Sequence, residues 1–169
     1  MRQAYDLTIA AAKKWRPDVG LYEINSADLA GVFNPREGLD GRRRVWYVDY
    51  YARSAQKHYV LRVEDGRVIP KSIAVNPFLH DFIKPADIPD TAKLAKLAIN
   101  QGLKASKNVA FGLHFDIGEE LLDSPNQPVR VQVYGRPASP AGVSVSSASQ
   151  GGLTRLVFDT QGRVVEAGR

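Results

Sequence analysis

Residues 45–69, VWYVDYYARSAQKHYVLRVEDGRVI, constrain the fold more than any other stretch. Side chains of a strand alternate between faces, so parity assigns the two runs flanking Ala52–Lys57. Trp46, Val48 and Tyr50 share one face of the first run, and Tyr47, Asp49 and Tyr51 share the other. A carboxylate is costly to bury without a partner, so the Trp46 face is expected to meet the core. In the second run Tyr59, Leu61 and Val63 face inward, leaving His58, Val60 and Arg62 outward. Asp65-Gly66 then supplies the residue pair that a type I′ turn requires, which makes a hairpin. Val68 and Ile69 begin a last short strand that Pro70 is expected to end.

A weaker copy of this pattern lies near the C-terminus, in residues 129–134 and 153–165, where Val129, Val131 and Val133 alternate with Arg130, Gln132 and Tyr134. Both copies close on Gly-Arg-Val, at Gly66-Arg67-Val68 and Gly162-Arg163-Val164, and an Ala/Lys/Leu-rich segment precedes each. The first such segment, residues 3–15, carries Ala4, Leu7, Ala11 and Trp15 on one helical stripe, with Lys13 and Lys14 in its last turn and Pro17 as a stop. The second begins at residue 90 or 91 with Asp90 or Thr91 as cap, and its stripe is Leu94, Leu97, Ala98 and Gln101. The fold class expected is therefore α+β, as two tandem helix-plus-antiparallel-sheet units. Residues 1–70 form the first, 71–90 a packed connector rich in proline, and 91–169 the second.

Between these landmarks the pattern is mixed. Residues 21–26 read as a short strand with Tyr22 and Ile24 on one face, and 27–44 as a loop ending in Arg42-Arg43-Arg44. Residues 109–117 alternate cleanly, with Phe111, Leu113, Phe115 and Ile117 inward and Gly112, His114 and Asp116 outward. Trp46, Leu61, Phe111, Leu113 and Phe115 are the expected core. A loop spans 118–127, and the Ser/Ala/Gly/Pro-rich stretch 136–152 is the best candidate for a mobile one.

Helix, strand, long loop and paired strands closing on an acidic residue, glycine, arginine and valine resemble the PepSY domain and the wider cystatin-like class. The resemblance rests on residues 63–68 and 158–164 and covers both halves. It implies exported units without catalytic residues that bind or inhibit proteases. The tandem arrangement also resembles that of beta-lactamase inhibitory proteins, which present one concave sheet to an enzyme. Those proteins use disulfides and this chain has no cysteine, so the likeness extends to architecture only. No functional residue of either family can be matched here.

Cysteine-free composition also removes thiolate metal sites and a cysteine nucleophile. His58, His80 and His114 are scattered without metal-ligand spacing, and no phosphate-binding loop or Gly-x-Ser-x-Gly appears, so no cofactor is expected. His114 and Asp116, two apart on one strand face, read as a surface ion pair. No run is long enough to cross a membrane as a helix. Met1-Arg2 leads straight into the first helical pattern without a signal peptide, which leaves the native address to the family resemblance.

A net charge of +5 favours acidic partners. The outward faces carry similar residues in the two halves: Tyr47, Tyr51, His58 and Arg62 in the first, and His114, Arg130, Tyr134 and Arg155 in the second. Tyrosine and arginine are the types that interfaces favour. The expected function is a non-enzymatic exported binding or inhibitory module for an acidic protein or peptide, with the solvated side of two sheets as the plain alternative for those residues. Two other classes stay open. One is a small enzyme or ligand-binding protein on a nuclear-transport-factor-like cone. The other is a nucleic-acid binder resting on Arg42–Arg44 and the aromatic run that follows them.

Overall fold

The computed structural model describes residues 1–75, 82–107, 111–118, 129–137 and 154–165. The loop expected over 118–127, the mobile stretch expected over 136–152 and His80 fall almost wholly outside those residues. Helix α1 (Arg2–Trp15) is followed by strands β1 (Val19–Ala27), β2 (Val45–Ala52), β3 (Lys57–Glu64) and β4 (Arg67–Val75). Helix α2 (Thr91–Asn100) precedes the two-residue β5 (Leu103–Lys104), then β6 (His114–Gly118), β7 (Arg130–Pro137) and β8 (Thr154–Phe158). All eight strands join one antiparallel sheet in the order β4-β3-β2-β1-β6-β7-β5, with β8 also paired to β7. The protein is thus α+β, two helices packed on one eight-strand sheet, α1 against β1 to β3 and α2 against β5 and β7.

The hairpin forms as its alternation requires. Trp46 pairs with Val63, Val48 with Leu61 and Tyr50 with Tyr59, all on the face toward the helices. At the β3–β4 turn Asp65 and Gly66 have φ of 48° and 79°, the left-handed pair that a type I′ turn needs. Ile24, Val48, Leu61, Ile117, Val131, Val133 and Phe158 are inaccessible and make the centre of the core. Asp90 caps α2, its carboxylate accepting from the Ala92 and Lys93 amides at 2.8 and 3.3 Å.

Several expectations are corrected. Pro70 does not end β4, which runs on to Val75 with a bulge opposite the Val60–Leu61 step. The strand is the sheet's edge, where a missing N–H removes no ladder bond. In α1 the buried residues are Ala4, Thr8 and Ala12, while Leu7 is exposed. Thr8 is tolerated inside because its hydroxyl donates to the Ala4 carbonyl at 2.7 Å and meets the Tyr50 hydroxyl at 2.8 Å. A bulge at Tyr22 places it beside Glu23 on the face away from the helices, and Ile24 alone goes to the core. Of the strand expected over 109–117, residues 109–110 lie outside the described residues and the ladder begins only at His114, while Leu113, Phe115 and Ile117 are buried in the core as expected. Gly112 has φ of 81°, which breaks strand geometry and leaves Phe111 half-buried against Phe33.

The basic run is solvated only at Arg42 and Arg44, which are exposed. Arg43 is buried with a fully inaccessible side chain, and holds the 28–44 segment to the chain around residues 111–114. Its guanidinium donates to the Phe111 carbonyl at 2.6 Å, the Ala27 carbonyl at 2.9 Å and Asp28 Oδ1 at 2.8 Å. Glu37 lies 3.7 Å from its Nε and accepts the Arg44 amide. A Cβ on Gly112 would sit 1.9 Å from the Glu37 carbonyl oxygen, so this approach of backbone to backbone demands glycine.

Candidate binding face of the sheet

Both helices cover one face, and cross-strand register fixes what the other carries. Tyr47 pairs with Arg62 and with Asn25, Tyr51 with His58, and Asp49 with Glu23. Asn25 pairs on its other side with Asp116, Asp116 with Gln132, and Tyr134 with both His114 and Arg155. Partners directly across a ladder point to the same face. Arg130 follows, two residues before Gln132. All eight residues singled out in the sequence therefore lie on one continuous surface, which the β1–β6 pairing joins.

That surface is less solvated than expected. Tyr51 is 1% exposed, His58 5% and His114 9%, while Tyr47, Arg62, Arg130, Tyr134 and Arg155 are partly accessible. Part of the cover at the Tyr51 end is Phe82, whose ring occupies the space where a Cβ on Gly20, the partner of Tyr51, would stand. Arg53 in turn lies over the Phe82 ring, 4.6 Å from its centre.

Two polar clusters divide the face. At one end His114 does not pair with Asp116 as the sequence suggested. Its Nε2 lies 3.0 Å from Arg43 Nη2 and 3.1 Å from Asp28 Oδ1, and its Nδ1 is 3.2 Å from both the hydroxyl and the carbonyl oxygen of Ser26. Burial, then the adjacent guanidinium, hold the His114 pKa below its ordinary value. The neutral ring fits this setting, with Nδ1–H donating to the Ser26 carbonyl and Nε2 accepting from Arg43. Burial alone would raise the Asp28 carboxyl, but Arg43, His114 and the Phe111 amide more than offset it and keep it low.

At the centre the charges are less well matched. Glu23, Asp49 and Asp116 converge from β1, β2 and β6, with no counterpart in the sequence reading of the site. Asn25 donates to Glu23 Oε1 at 2.6 Å, and His58 Nδ1 lies 2.9 Å from Asp49 Oδ2. The His58 ring stands between Tyr22 and Tyr51, both 4.8 Å away between ring centres. Burial pushes the Asp49 carboxyl up to about 6 despite His58, and burial followed by Glu23 pushes Asp116 up to about 7. Beside them the Tyr134 hydroxyl donates to Gln132 Oε1 at 2.6 Å, and Arg155 Nη1 donates to the same oxygen at 2.9 Å. The signal for this cluster was available in part. Asp49 and Asp116 occupy outward parities in strands, but their meeting depends on a β1–β6 pairing that no local pattern encodes.

The arrangement offers aromatic contact area, arginine donors and a central group of carboxylates. Among the described residues no set of three or more histidine and acidic side chains is placed to hold a metal ion. None of the helices among them is long and apolar enough to cross a membrane. The chain matches no family model, no curated protein and no solved structure.

Proposed function

We propose that this protein is a non-enzymatic binding or inhibitory module acting outside the cytoplasm, with the sheet face opposite the helices as its contact surface. One observation carries the reading: eight tyrosine, arginine and histidine residues from two distant parts of the sequence lie together on the face that neither helix covers. An interface needs large side chains with polar ends on a rigid support, and an antiparallel sheet provides such a support. The element order supports a finer architectural reading, two helix-plus-sheet units of PepSY-like or cystatin-like character joined edge to edge. Each helix precedes its strands, and both lie on the same side. The extracytoplasmic address rests on that resemblance alone.

The test begins with a partner captured from extracts of the source organism, identified and purified. Calorimetric titration against Tyr47→Ala and Arg130→Ala, both partly accessible, should then show affinity reduced by about 1 kcal/mol or more each. Unchanged affinity in both variants, with the fold intact by circular dichroism, would move the contact surface elsewhere.

A further inference from the structure

We infer that the protein has a second site, on the helix side of the sheet, for a small amphipathic oxyanion: an apolar body ending in a carboxylate or phosphate. The site is the cavity enclosed by the starts of α1 and α2, the 41–44 segment and the β3–β4 turn. It goes beyond the binding reading above and does not depend on it.

The cavity measures about 650 Å³, a volume typical of small-molecule sites. Two glycines in its lining shape it. A Cβ on Gly41 would stand 2.3 Å from both the Ala92 nitrogen and the Thr91 carbonyl carbon, so only glycine lets this segment close on the start of α2. That contact sets the place of Arg42, the next residue. At the turn, a Cβ on Gly66 would meet nothing within 4 Å, so this side stays open.

The lining divides by chemistry. Trp46, Val63 and Ile88 are core residues whose outer surfaces form its apolar part, together with Leu7, which α1 leaves outside the core. Four arginines line the same space among the described residues, and two of them are already engaged. Arg43 is bonded to Asp28 and to backbone carbonyls, and Arg44 donates to both oxygens of Asp65 at 2.8 and 2.6 Å. The guanidinium groups of Arg2 and Arg42 have no hydrogen-bond or ion-pair partner among the described residues. The two carboxylates in the lining are engaged as well, Asp65 by Arg44 and Asp90 by the Ala92 and Lys93 amides. The charge left over is therefore positive, and it adjoins an apolar wall. The start of α1, without an acidic residue in its first turn, acts in the same sense.

A guanidinium presents a planar fork of donors that matches the oxygens of a carboxylate or phosphate. A cation would meet repulsion here, and a bare inorganic anion would leave the apolar wall unused. An amphipathic oxyanion uses both.

The experiment titrates the whole chain, labelled with nitrogen-15, with 1-naphthyl phosphate, with 1-naphthoate and with 1-naphthylmethylamine as the probe of opposite charge. The two anions should shift the Trp46 indole and the Arg42, Gly66 and Thr91 amides saturably, and the amine should not. The tighter anion identifies the preferred head group. Arg2→Gln and Arg42→Gln should each weaken binding about threefold and together about tenfold, as exposed charge pairs do. Leu7→Trp keeps every charge and fills space, and should weaken binding about tenfold by covering the apolar wall. Anion shifts confined to other parts of the molecule, or none, would overturn the inference. So would equal binding of the amine, or affinity unchanged in the double arginine variant while circular dichroism shows it folded. Inorganic phosphate binding as tightly as naphthyl phosphate would overturn the amphipathic class. None of these results bears on the opposite face, whose own test is the loss of partner affinity in Tyr47→Ala and Arg130→Ala.

Discussion

The Arg43 cluster and the Asp49–Asp116 cluster lie on one sheet, and both bury charge, yet charge is matched in the first and unmatched in the second. Around Arg43 each carboxylate faces a guanidinium, and the three carbonyl oxygens of Ala27, Phe111 and Leu113 receive N–H groups from its two terminal nitrogens, leaving Nε, 3.7 Å from Glu37, as the one atom of that guanidinium without a hydrogen bond. Around Asp49 and Asp116 three carboxylates share one imidazole and one amide, and three polar atoms go unpartnered. A polar network in which opposite charges meet and nearly every atom is bonded fixes one arrangement of the chain. An unsatisfied one lowers stability, and is retained where something other than stability selects it. The first cluster is therefore a brace for the 28–44 segment, and the second is the place to look for function.

Substitutions can break that contrast. The largest effect should follow Arg43→Ala, which strands Asp28 and Glu37 without their cation and should cost about 3–5 kcal/mol in urea unfolding. A loss below about 1 kcal/mol would mean that the loop is held by packing and not by its guanidinium.

Asp116→Asn should act in the other direction. The folded carboxyl titrates at about 7 against 3.8 for a free one, so stability present below the lower value is lost as pH rises through the upper one. Replacing it should raise stability by about 1–2 kcal/mol near pH 8 and by nothing measurable near pH 3. Asp28, held below 3.8, has the opposite sign: its contribution is present at neutral pH and fades as pH falls through its lowered value.

The smallest effect compares adjacent tyrosines. Tyr50 bonds Thr8 on the core face, whereas the Tyr51 hydroxyl is buried without a partner on the other. Tyr50→Phe should cost about 1 kcal/mol, and Tyr51→Phe should be neutral or stabilising by up to about 1 kcal/mol. Equal losses in the two variants would show that Tyr51 has a partner after all.

What the sequence made legible follows from range. Strand parity in 45–64 and the Asp65-Gly66 turn depend on neighbours a few residues apart, and the register of Trp46 with Val63 agrees with them. The side that each of the eight face residues takes on its own strand was legible for the same reason, whereas their union on one face rests on the β1–β6 pairing. The bulge at Tyr22, the passage of β4 through Pro70 and the burial of Arg43 were not, because each depends on a neighbour that only the completed sheet supplies. Thr8 took the place expected of Leu7 because a helix's inward stripe is set by its partner surface, here Tyr50, as much as by its own hydropathy. The carboxylate trio is the extreme case. Glu23 and Asp116 come within reach through the pairing of Ile24 with Ile117, and nothing local in the sequence announces it.

A carbon-13 titration of the aspartate carboxyls in the intact protein tests the contrast most directly. The account predicts Asp116 titrating at about 7, Asp49 at about 6 and Asp28 below 3.8. Asp49 and Asp116 titrating with the ordinary surface aspartates would contradict it, since the central cluster would then have no deficit of positive charge to fill.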